Sequence, residues 1–528
     1  MTSYFTLIFL VVFLPLVLLA YAAVPKRLRG YVLLCASYFF AWCISGPRIT
    51  FMLISTLCVY GIARAMDARI QKRDAQLAQV KKGKREIKAS CKHQLNQLLV
   101  AGVMVNLGIL IALNYLGFFG ELATAALGLL GIHAHFEFPR IGAPIGISFY
   151  TLMAISYLVD VSRETIKADH HFGRLALFLS FFPHIMEGPI ARYTQTATAL
   201  WEGRDLSAQN SYRGMLRMAI GFAKKLLVAD RLNLYVKTIF TDYASYDGGL
   251  IALGAVLYTL QLYCDFSGCM DVAIGLGQFF GAEYPENFRQ PFFSRTTSEF
   301  WQRWHITLGQ WFKDYVYYPV SLSKPVKRLT TKARKRFGNR YGPLLVSGIA
   351  LFCVWLGNGL WHGAGSQYLF FGMYYFVLIW LGGFIEPNAR AWAADHGIDR
   401  ERGAYRVFRT VRTLMAVFVG ELFFRAEGLE AGLAMFGKML SNFSLASFAD
   451  GTVFTLMSKA DFAVALFFVA VVFIYDTAYE RGFDVRKMIE EKGFVLRWAI
   501  WIAIVMTVVI FGAYGFGYVA VDPMYAQY

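Results

Sequence analysis

Three stretches of the chain set ionisable and aromatic side chains inside otherwise apolar sequence. The first is Phe181-Phe182-Pro183-His184-Ile185-Met186-Glu187-Gly188-Pro189-Ile190-Ala191-Arg192-Tyr193. Pro183 and Pro189 forbid a regular helix through it, because each removes a backbone donor and clashes with the preceding turn. A broken or re-entrant segment is expected, in which Glu187 and Arg192 either line a pore or pair with each other. The second stretch runs from Tyr284 to Tyr315 and holds Trp304, His305, Lys313 and Asp314. It reads either as an interfacial aromatic belt with snorkelling cations or as a substrate-facing site. The third is Trp355-Leu356-Gly357-Asn358-Gly359-Leu360-Trp361-His362-Gly363-Ala364-Gly365. An imidazole titrates close to neutrality and can act as a general base. Inside a membrane segment such a group is expensive, so its presence marks function. The glycines around His362 permit close approach of a second helix or a ligand.

The elements that must carry these stretches follow from composition. The chain has 528 residues, of which 57% are hydrophobic and 16% charged. Soluble domains carry about 45–50% apolar and about 25% charged residues. Disorder is excluded by the high hydrophobicity, and a transmembrane barrel by long continuous apolar runs where alternation would be required. An all-α polytopic integral membrane protein remains. The net charge of +17 fits basic cytoplasmic loops, with no call for nucleic acid. The seven cysteines include no CxxC pair and read as packing residues, with no metal site.

Apolar runs of near-spanning length cover 6–24, 31–45, 48–66, 96–118, 143–160, 343–361, 367–385, 408–424, 460–478 and 497–520. Threading them with basic loops inside puts 25–30, 64–92, 163–167, 324–340, 390–412 and 481–492 in the cytoplasm and both termini outside. The middle, 168–320, does not parse into clean spans and is where a shielded cavity is expected. Three segments follow: N-terminal spans over 1–167, a core over 168–365 with His305 and His362, and C-terminal spans with an outer tail over 366–528. His305 precedes the basic 324–340 stretch and is expected in the cytoplasmic half of the membrane. His362 lies about 20 residues beyond that stretch, a helical rise of roughly 30 Å, and is expected across the hydrocarbon.

These patches resemble the membrane-bound O-acyltransferases, and within them the bacterial branch that acylates cell-surface polymers. Pro144-Ile145-Gly146-Ile147-Ser148-Phe149-Tyr150, the 182–190 patch and Gln261-Leu262-Tyr263-Cys264-Asp265-Phe266-Ser267-Gly268 carry the resemblance. So do Glu286-Asn287-Phe288-Arg289-Gln290-Pro291, Phe300-Trp301-Gln302-Arg303-Trp304-His305-Ile306-Thr307-Leu308, Gly359-Leu360-Trp361-His362-Gly363-Ala364 and Phe423-Phe424-Arg425-Ala426. The resemblance implies a ring of roughly 10–12 transmembrane helices plus broken helices around a central tunnel. It implies His362 as the catalytic histidine and His305 as a second one near the cytoplasmic mouth. Trp304, Trp361, Asn358, Glu187, Arg192, Lys313 and Asp314 are the candidate substrate-binding residues.

The expected function is transfer of an acyl group, acetyl before D-alanyl, from a cytoplasmic thioester to an extracytoplasmic polysaccharide. No cofactor is expected to be bound. The donor is acetyl-CoA or an acyl carrier protein thioester, and the expected partners are an extracytoplasmic acetyltransferase or esterase-like protein and membrane lipids. Broken segments with intramembrane His, Glu and Arg also fit a transporter or channel, although no internal repeat of fixed period is present. A non-catalytic scaffold is the third reading. The tail Asp522-Pro523-Met524-Tyr525-Ala526-Gln527-Tyr528 resembles the short aromatic tail of this branch. Tyr525 is then a possible acyl carrier, and an interfacial aromatic anchor is the other reading of it.

Overall fold

The computed structural model describes residues 3–132, 136, 138, 142–515 and 518, and every regular element among them is helical. Seven helical stretches are long and apolar enough to cross a membrane: Lys26–Gln79, Lys84–Asn114, Gly248–Phe279, Lys324–Trp361, Ser366–Asp395, Lys459–Glu480 and Phe494–Phe511. Shorter apolar helices add to them at Phe9–Ala23, Leu116–Leu129 and Ile147–Ser162. The all-α polytopic reading holds.

The chain divides into two compact units. The first comprises residues up to Met215 together with Ala273–Pro285. Its helices are α1 (Leu14–Ala23), α2 (Lys26–Ser45), α3 (Ile49–Gln79), α4 (Lys84–Asn114), α5 (Leu116–Leu129), α6 (Ile147–Ser162), α7 (Phe172–Ser180), α8 (Phe182–Ile185) and α9 (Tyr193–Glu202), with the first half of α10 (Ala208–Ala223). Here α3 and α4 form a hairpin against α6, whose residues are almost all buried. The Ser55 hydroxyl donates to Asn106 Oδ1 at 2.5 Å, satisfying the one buried amide across that hairpin. Beyond Ser180 the two prolines act as the sequence requires: α8 is a single turn, and residues 186–192 run without helix before α9.

The second unit comprises Leu216–Val272 and Glu286–Met524. It contains the end of α10, α11 (Asp230–Thr241), most of α12 (Gly248–Phe279), α13 (Thr297–Arg303), α14 (Ile306–Phe312), α15 (Tyr318–Ser321), α16 (Lys324–Trp361), α17 (Ser366–Asp395), α18 (Gly403–Arg425), α19 (Leu429–Ser441), α20 (Ala446–Ala449), α21 (Lys459–Glu480), α22 (Val485–Glu490) and α23 (Phe494–Phe511). Burial runs opposite to hydropathy. The α12 window has mean hydropathy 1.4 and is 78% buried, whereas the α23 window reaches 2.4 with none of it buried. Lipid covers the most apolar helices, and protein covers the helices that carry polar groups.

Gly221 and Gly268 bring α10 and α12 together. A Cβ at either position would lie 2.6–2.8 Å from the other's carbonyl oxygen. The α-helical pattern of α10 then gives way to a π-helical turn at Lys224–Ala229. This turn points two ammonium groups at α12: Lys224 pairs with Asp271 at 2.8 Å, and Lys225 with Asp265 at 2.7 Å and Asp230 at 2.9 Å. Each buried charge thereby has a partner, without which its burial would be prohibitive.

Several expectations are corrected. The 168–320 region contains a full-length helix, α12, which the sequence reading missed because Gln261, Asp265 and Asp271 interrupt its apolar run. The 96–118 run is broken at Tyr115 between α4 and α5, and the 497–520 run is helical only as far as Phe511. The basic stretches 64–92 and 324–340 are largely helical rather than loops. The helix α16 carries the second of them and bends sharply at Gly338 (φ 78°, ψ 173°), a left-handed position open to glycine. The Tyr525 expectation lies outside the described residues.

Candidate active site

His362 ends α16, beyond its bend at Gly338. It is the C-cap of α16, with its backbone N–H directed at the Asn358 and Gly359 carbonyls. Two glycines allow α17 to pack directly on this end. A Cβ at Gly359 would lie 2.5 Å from the Tyr368 carbonyl oxygen, and one at Gly372 would lie 2.4 Å from that of Trp355. Backbone on backbone at this distance fixes the ring in place. The imidazole stands edge-to-face to Trp361 (5.0 Å between centroids), Phe371 (5.8 Å) and Phe424 (5.0 Å), and the residue is 2% exposed. Asn358 lies one turn earlier on the same face of α16 and is also buried.

His305 stands at the break between α13 and α14, in the left-handed conformation (φ 48°, ψ 50°). A non-glycine residue pays a steric cost there that surrounding bonds must over-determine. Asn287 supplies them. Its backbone carbonyl accepts from the Ile306 N–H at 3.0 Å. Its side-chain Oδ1 accepts from the Thr307 N–H at 3.0 Å and from the Thr307 hydroxyl at 2.9 Å. His305 Nδ1 lies 3.2 Å from the amide Nδ2 and 3.3 Å from Oδ1; because Oδ1 already accepts from both Thr307 donors, we assign the bond to Nδ2–H donating to Nδ1. An accepting Nδ1 leaves the ring proton on Nε2. The His305 ring meets Phe266 at 4.7 Å and Trp361 at 5.5 Å.

Trp361 therefore touches both imidazoles. The expectation that the membrane separates them by most of its thickness is corrected. His305 does not lie next to the basic stretch, because a continuous helical run from Ile306 to Ser321 intervenes, about 24 Å long. That run packs back along α16. The chain descends from His305, turns through the basic residues, and climbs again to His362.

The other candidates separate. Trp304 is buried behind His305, against Phe288 (5.1 Å), Phe300 (5.4 Å) and Tyr263 (6.0 Å), where it fixes the backbone of the break. Lys313 lies two turns along the run from His305, about 12 Å on; it is exposed, with its ammonium over the Tyr318 ring. Asp314 follows in the same π-helical turn. Neither belongs to the histidine cluster. Glu187 and Arg192 are in the first unit: Glu187 is fully buried, and Arg192 is the N-cap of α9, where its N–H donates to Gln195 Oε1 at 2.7 Å.

A cavity of about 220 Å³ is lined by Asn287, which holds His305, by Ile306, which follows it, and by Arg217, Lys224, Asp271, Glu286, Arg289, Asp476 and Arg486 among others; neither histidine lines it. Asn287 thus faces this cavity and holds His305 at once. Sequence reasoning quoted Asn287 and Glu286 within a motif without assigning them to the site, and missed Arg217, Lys224, Asp271 and Arg486 altogether. Their charges could have been noticed as costly in apolar context, but their pairing joins segments far apart in the chain. Among the described residues no three His, Cys, Asp or Glu side chains converge as a metal-binding group.

Comparison with known proteins agrees with this architecture. The family model for membrane-bound O-acyltransferases matches residues 4–334. The chain is 33% identical to the probable alginate O-acetylase of Pseudomonas syringae pv. tomato, over 82% of this chain and 74% of that protein. It is 29% identical to the peptidoglycan O-acetyltransferase of Helicobacter pylori over 65% of this chain and 64% of that protein. It is 31% identical to the teichoic acid D-alanyltransferase of Bacillus subtilis over 46% of this chain and 59% of that protein. The extent of these matches shows that the chain belongs to the membrane-bound O-acyltransferase family and is a multi-pass integral membrane acyltransferase.

Proposed function

We propose that the protein moves an acetyl group from a thioester made in the cytoplasm to a hydroxyl of a cell-surface polysaccharide outside the bacterial inner membrane. The observation that carries this reading is the contact of both histidines with Trp361, with His305 held by Asn287, a residue that also lines a cavity. His362 takes the proton of the accepting hydroxyl as its oxygen attacks the thioester carbonyl. The carboxamide of Asn358, one helical turn from His362, and the indole N–H of the neighbouring Trp361 supply hydrogen bonds to the oxygen that becomes negative. Collapse of the tetrahedral intermediate breaks the carbon–sulfur bond, and the proton taken by His362 is returned to the thiolate. The products are the ester and a free thiol. His305, with its proton held on Nε2, donates toward the donor side and positions the thioester.

The donor is acetyl-CoA or a carrier-protein thioester. Basic segments inside and both termini outside give the orientation. Where the accepting hydroxyl is that of a relay such as Tyr525, an esterase-like acetyltransferase on the outer side is the partner that passes the acetyl group on to the polysaccharide. Tyr525 is an acyl relay if its hydroxyl enters the outer opening. A phenol with a pKa near 10 is a poor nucleophile at neutral pH and would need His362 as its base. Tyr525→Phe, which removes only the hydroxyl, abolishes surface acetylation if the relay operates and spares it if the ring is an anchor. The similarity to the B. subtilis protein supports D-alanyl transfer as a second reading. Thioesters of coenzyme A and of a carrier protein, each with an isotopically labelled acetyl or D-alanyl group, offered to protein in nanodiscs decide between them by the mass transferred.

A further inference from the structure

The cavity beside Asn287 carries an ion network with one displaceable member. The guanidinium of Arg217 is almost completely buried. Its Nε donates to Asp271 at 3.0 Å, and its two terminal nitrogens hold the Glu286 carboxylate in bidentate fashion at 2.8 and 2.5 Å. Arg486, on α22, reaches the same carboxylate at 3.4 Å and donates from Nε to the Tyr479 hydroxyl at 3.0 Å. Lys224 supplies a second cation to Asp271 at 2.8 Å, and Asp476 accepts from the Tyr263 hydroxyl at 2.7 Å. Arg289 lines the same cavity, is exposed, and forms no ion pair among the described residues.

Glu286 is unlike the other acids. Half of its side chain is exposed, whereas those of Arg217 and Asp271 are enclosed. Without it, Arg217 keeps Asp271, Arg486 keeps Tyr479, and Asp271 keeps Lys224, so the network does not need this carboxylate for its integrity. What its departure leaves is an excess of positive charge, shaped by guanidinium forks that fit a phosphate as well as a carboxylate.

We propose that Glu286 is an internal stand-in anion: it fills a phosphate seat formed by Arg217, Arg486 and Arg289, and gives way when the phosphate of a phosphopantetheine thioester enters. This rests on the acyltransferase reading above and adds to it the residue that sets donor affinity. Coenzyme A and a carrier protein both present the 4′-phosphopantetheine phosphate. Glu286 competes with it, so the empty cavity carries less excess positive charge and does not retain miscellaneous anions. Asn287 follows Glu286 in the chain, so movement of the carboxylate lies next to the residue that orients His305.

The test uses full-length protein in nanodiscs and equilibrium binding of coenzyme A, phosphopantetheine and pantetheine at low ionic strength. Glu286→Gln keeps the shape and removes the competing charge. It should bind both phosphorylated ligands about threefold tighter, the scale of one partly exposed ion pair, and leave pantetheine unchanged. Arg486→Gln should weaken the phosphorylated ligands by about tenfold, the scale of one lost charge-assisted bond. Tightening seen with coenzyme A alone places the effect at its additional phosphates and overturns the assignment of the seat to the phosphopantetheine phosphate. Equal tightening with phosphopantetheine assigns it to the phosphate shared with a carrier. Unchanged or weaker binding of the phosphorylated ligands in Glu286→Gln, or an equal change for pantetheine, overturns the proposal. Acetyl transfer by the wild type is measured separately. Phosphate-selective binding without any acyl transfer contradicts the catalytic reading and leaves the seat standing, whereas transfer without phosphate selectivity does the reverse.

Discussion

Asn287 offers a substitution whose effect on activity separates from its effect on folding. In Asn287→Asp the carboxylate still accepts from the Thr307 N–H and hydroxyl, so the two bonds that hold the α14 start persist. The third bond reverses. A carboxylate has no N–H to give, so His305 Nδ1 must now carry the proton and donate, leaving Nε2 bare. In Asn287→Ala all three side-chain bonds disappear. The buried Thr307 N–H and hydroxyl lose their acceptor at about 1–3 kcal/mol each, and the left-handed backbone of His305 loses its brace. The aspartate variant should therefore melt close to the wild type and yet lose about 10²–10⁴-fold in kcat, the scale of a wrong histidine tautomer. The alanine variant should melt well below it. The assay is thermal unfolding by tryptophan fluorescence in detergent, alongside release of free thiol from an acetyl donor in nanodiscs. If activity simply follows stability, with alanine worst and aspartate near the wild type, Asn287 is a structural tie and the tautomer argument is wrong.

Other expectations follow from packing and charge. Gly372→Ala forces a methyl group to 2.4 Å from the Trp355 carbonyl oxygen; the variant should lose about 1–3 kcal/mol of stability and lower kcat, and a wild-type melting curve would show that α17 does not hold His362. Asp169, in the loop between α6 and α7, is pushed up by burial, but Arg174 at 2.6 Å, the Tyr193 hydroxyl and the His171 N–H together hold its carboxyl below the usual range. Its stabilisation is complete above the ordinary carboxylate pKa of about 4 and is lost as pH falls through the lower folded value. Asp169→Asn should thus cost about 2 kcal/mol at neutral pH, less than a fully buried pair because Arg174 is partly exposed, and should show a shallower loss of melting temperature under acid. An identical acid limb in variant and wild type would contradict this. Neutralising Lys332, Arg334, Lys335 and Arg336, all exposed on the first half of α16, should raise the donor KM, more at low salt than at high salt. An unchanged KM at low salt leaves these residues a topological role only.

The sequence made the outline legible because lipid selects for it. Runs such as 367–385, and 498–511 within α23, hold no charged residue, and bilayer thickness fixes their length. The prolines of the 182–190 patch likewise break the helix where they stand. The helix α12 was not legible for the opposite reason. It is covered by protein, so Gln261, Asp265 and Asp271 can sit on it, and Lys225 and Lys224, the partners of Asp265 and Asp271, reach them only through a π-helical turn whose register no periodicity announces. The motif residues His305 and His362 were visible, but their mutual placement was not. It depends on the run Ile306–Ser321 doubling back along α16, and sequence distance from the basic stretch stood in for depth. Asn287 was visible as a letter in a motif. Its hold on His305 requires the backbone of His305 to turn left-handed, which is an unfavourable choice for that residue alone and is decided by the bonds from Thr307.

The central claim is that His362 is the base for acyl transfer at a site shared with His305. It is tested most directly by acetyl transfer from an isotopically labelled thioester in nanodiscs, with His362→Ala compared with wild type and coenzyme A binding measured on both. The account predicts a loss of about 10²–10⁴-fold in turnover with coenzyme A binding intact. Wild-type turnover in His362→Ala would contradict it.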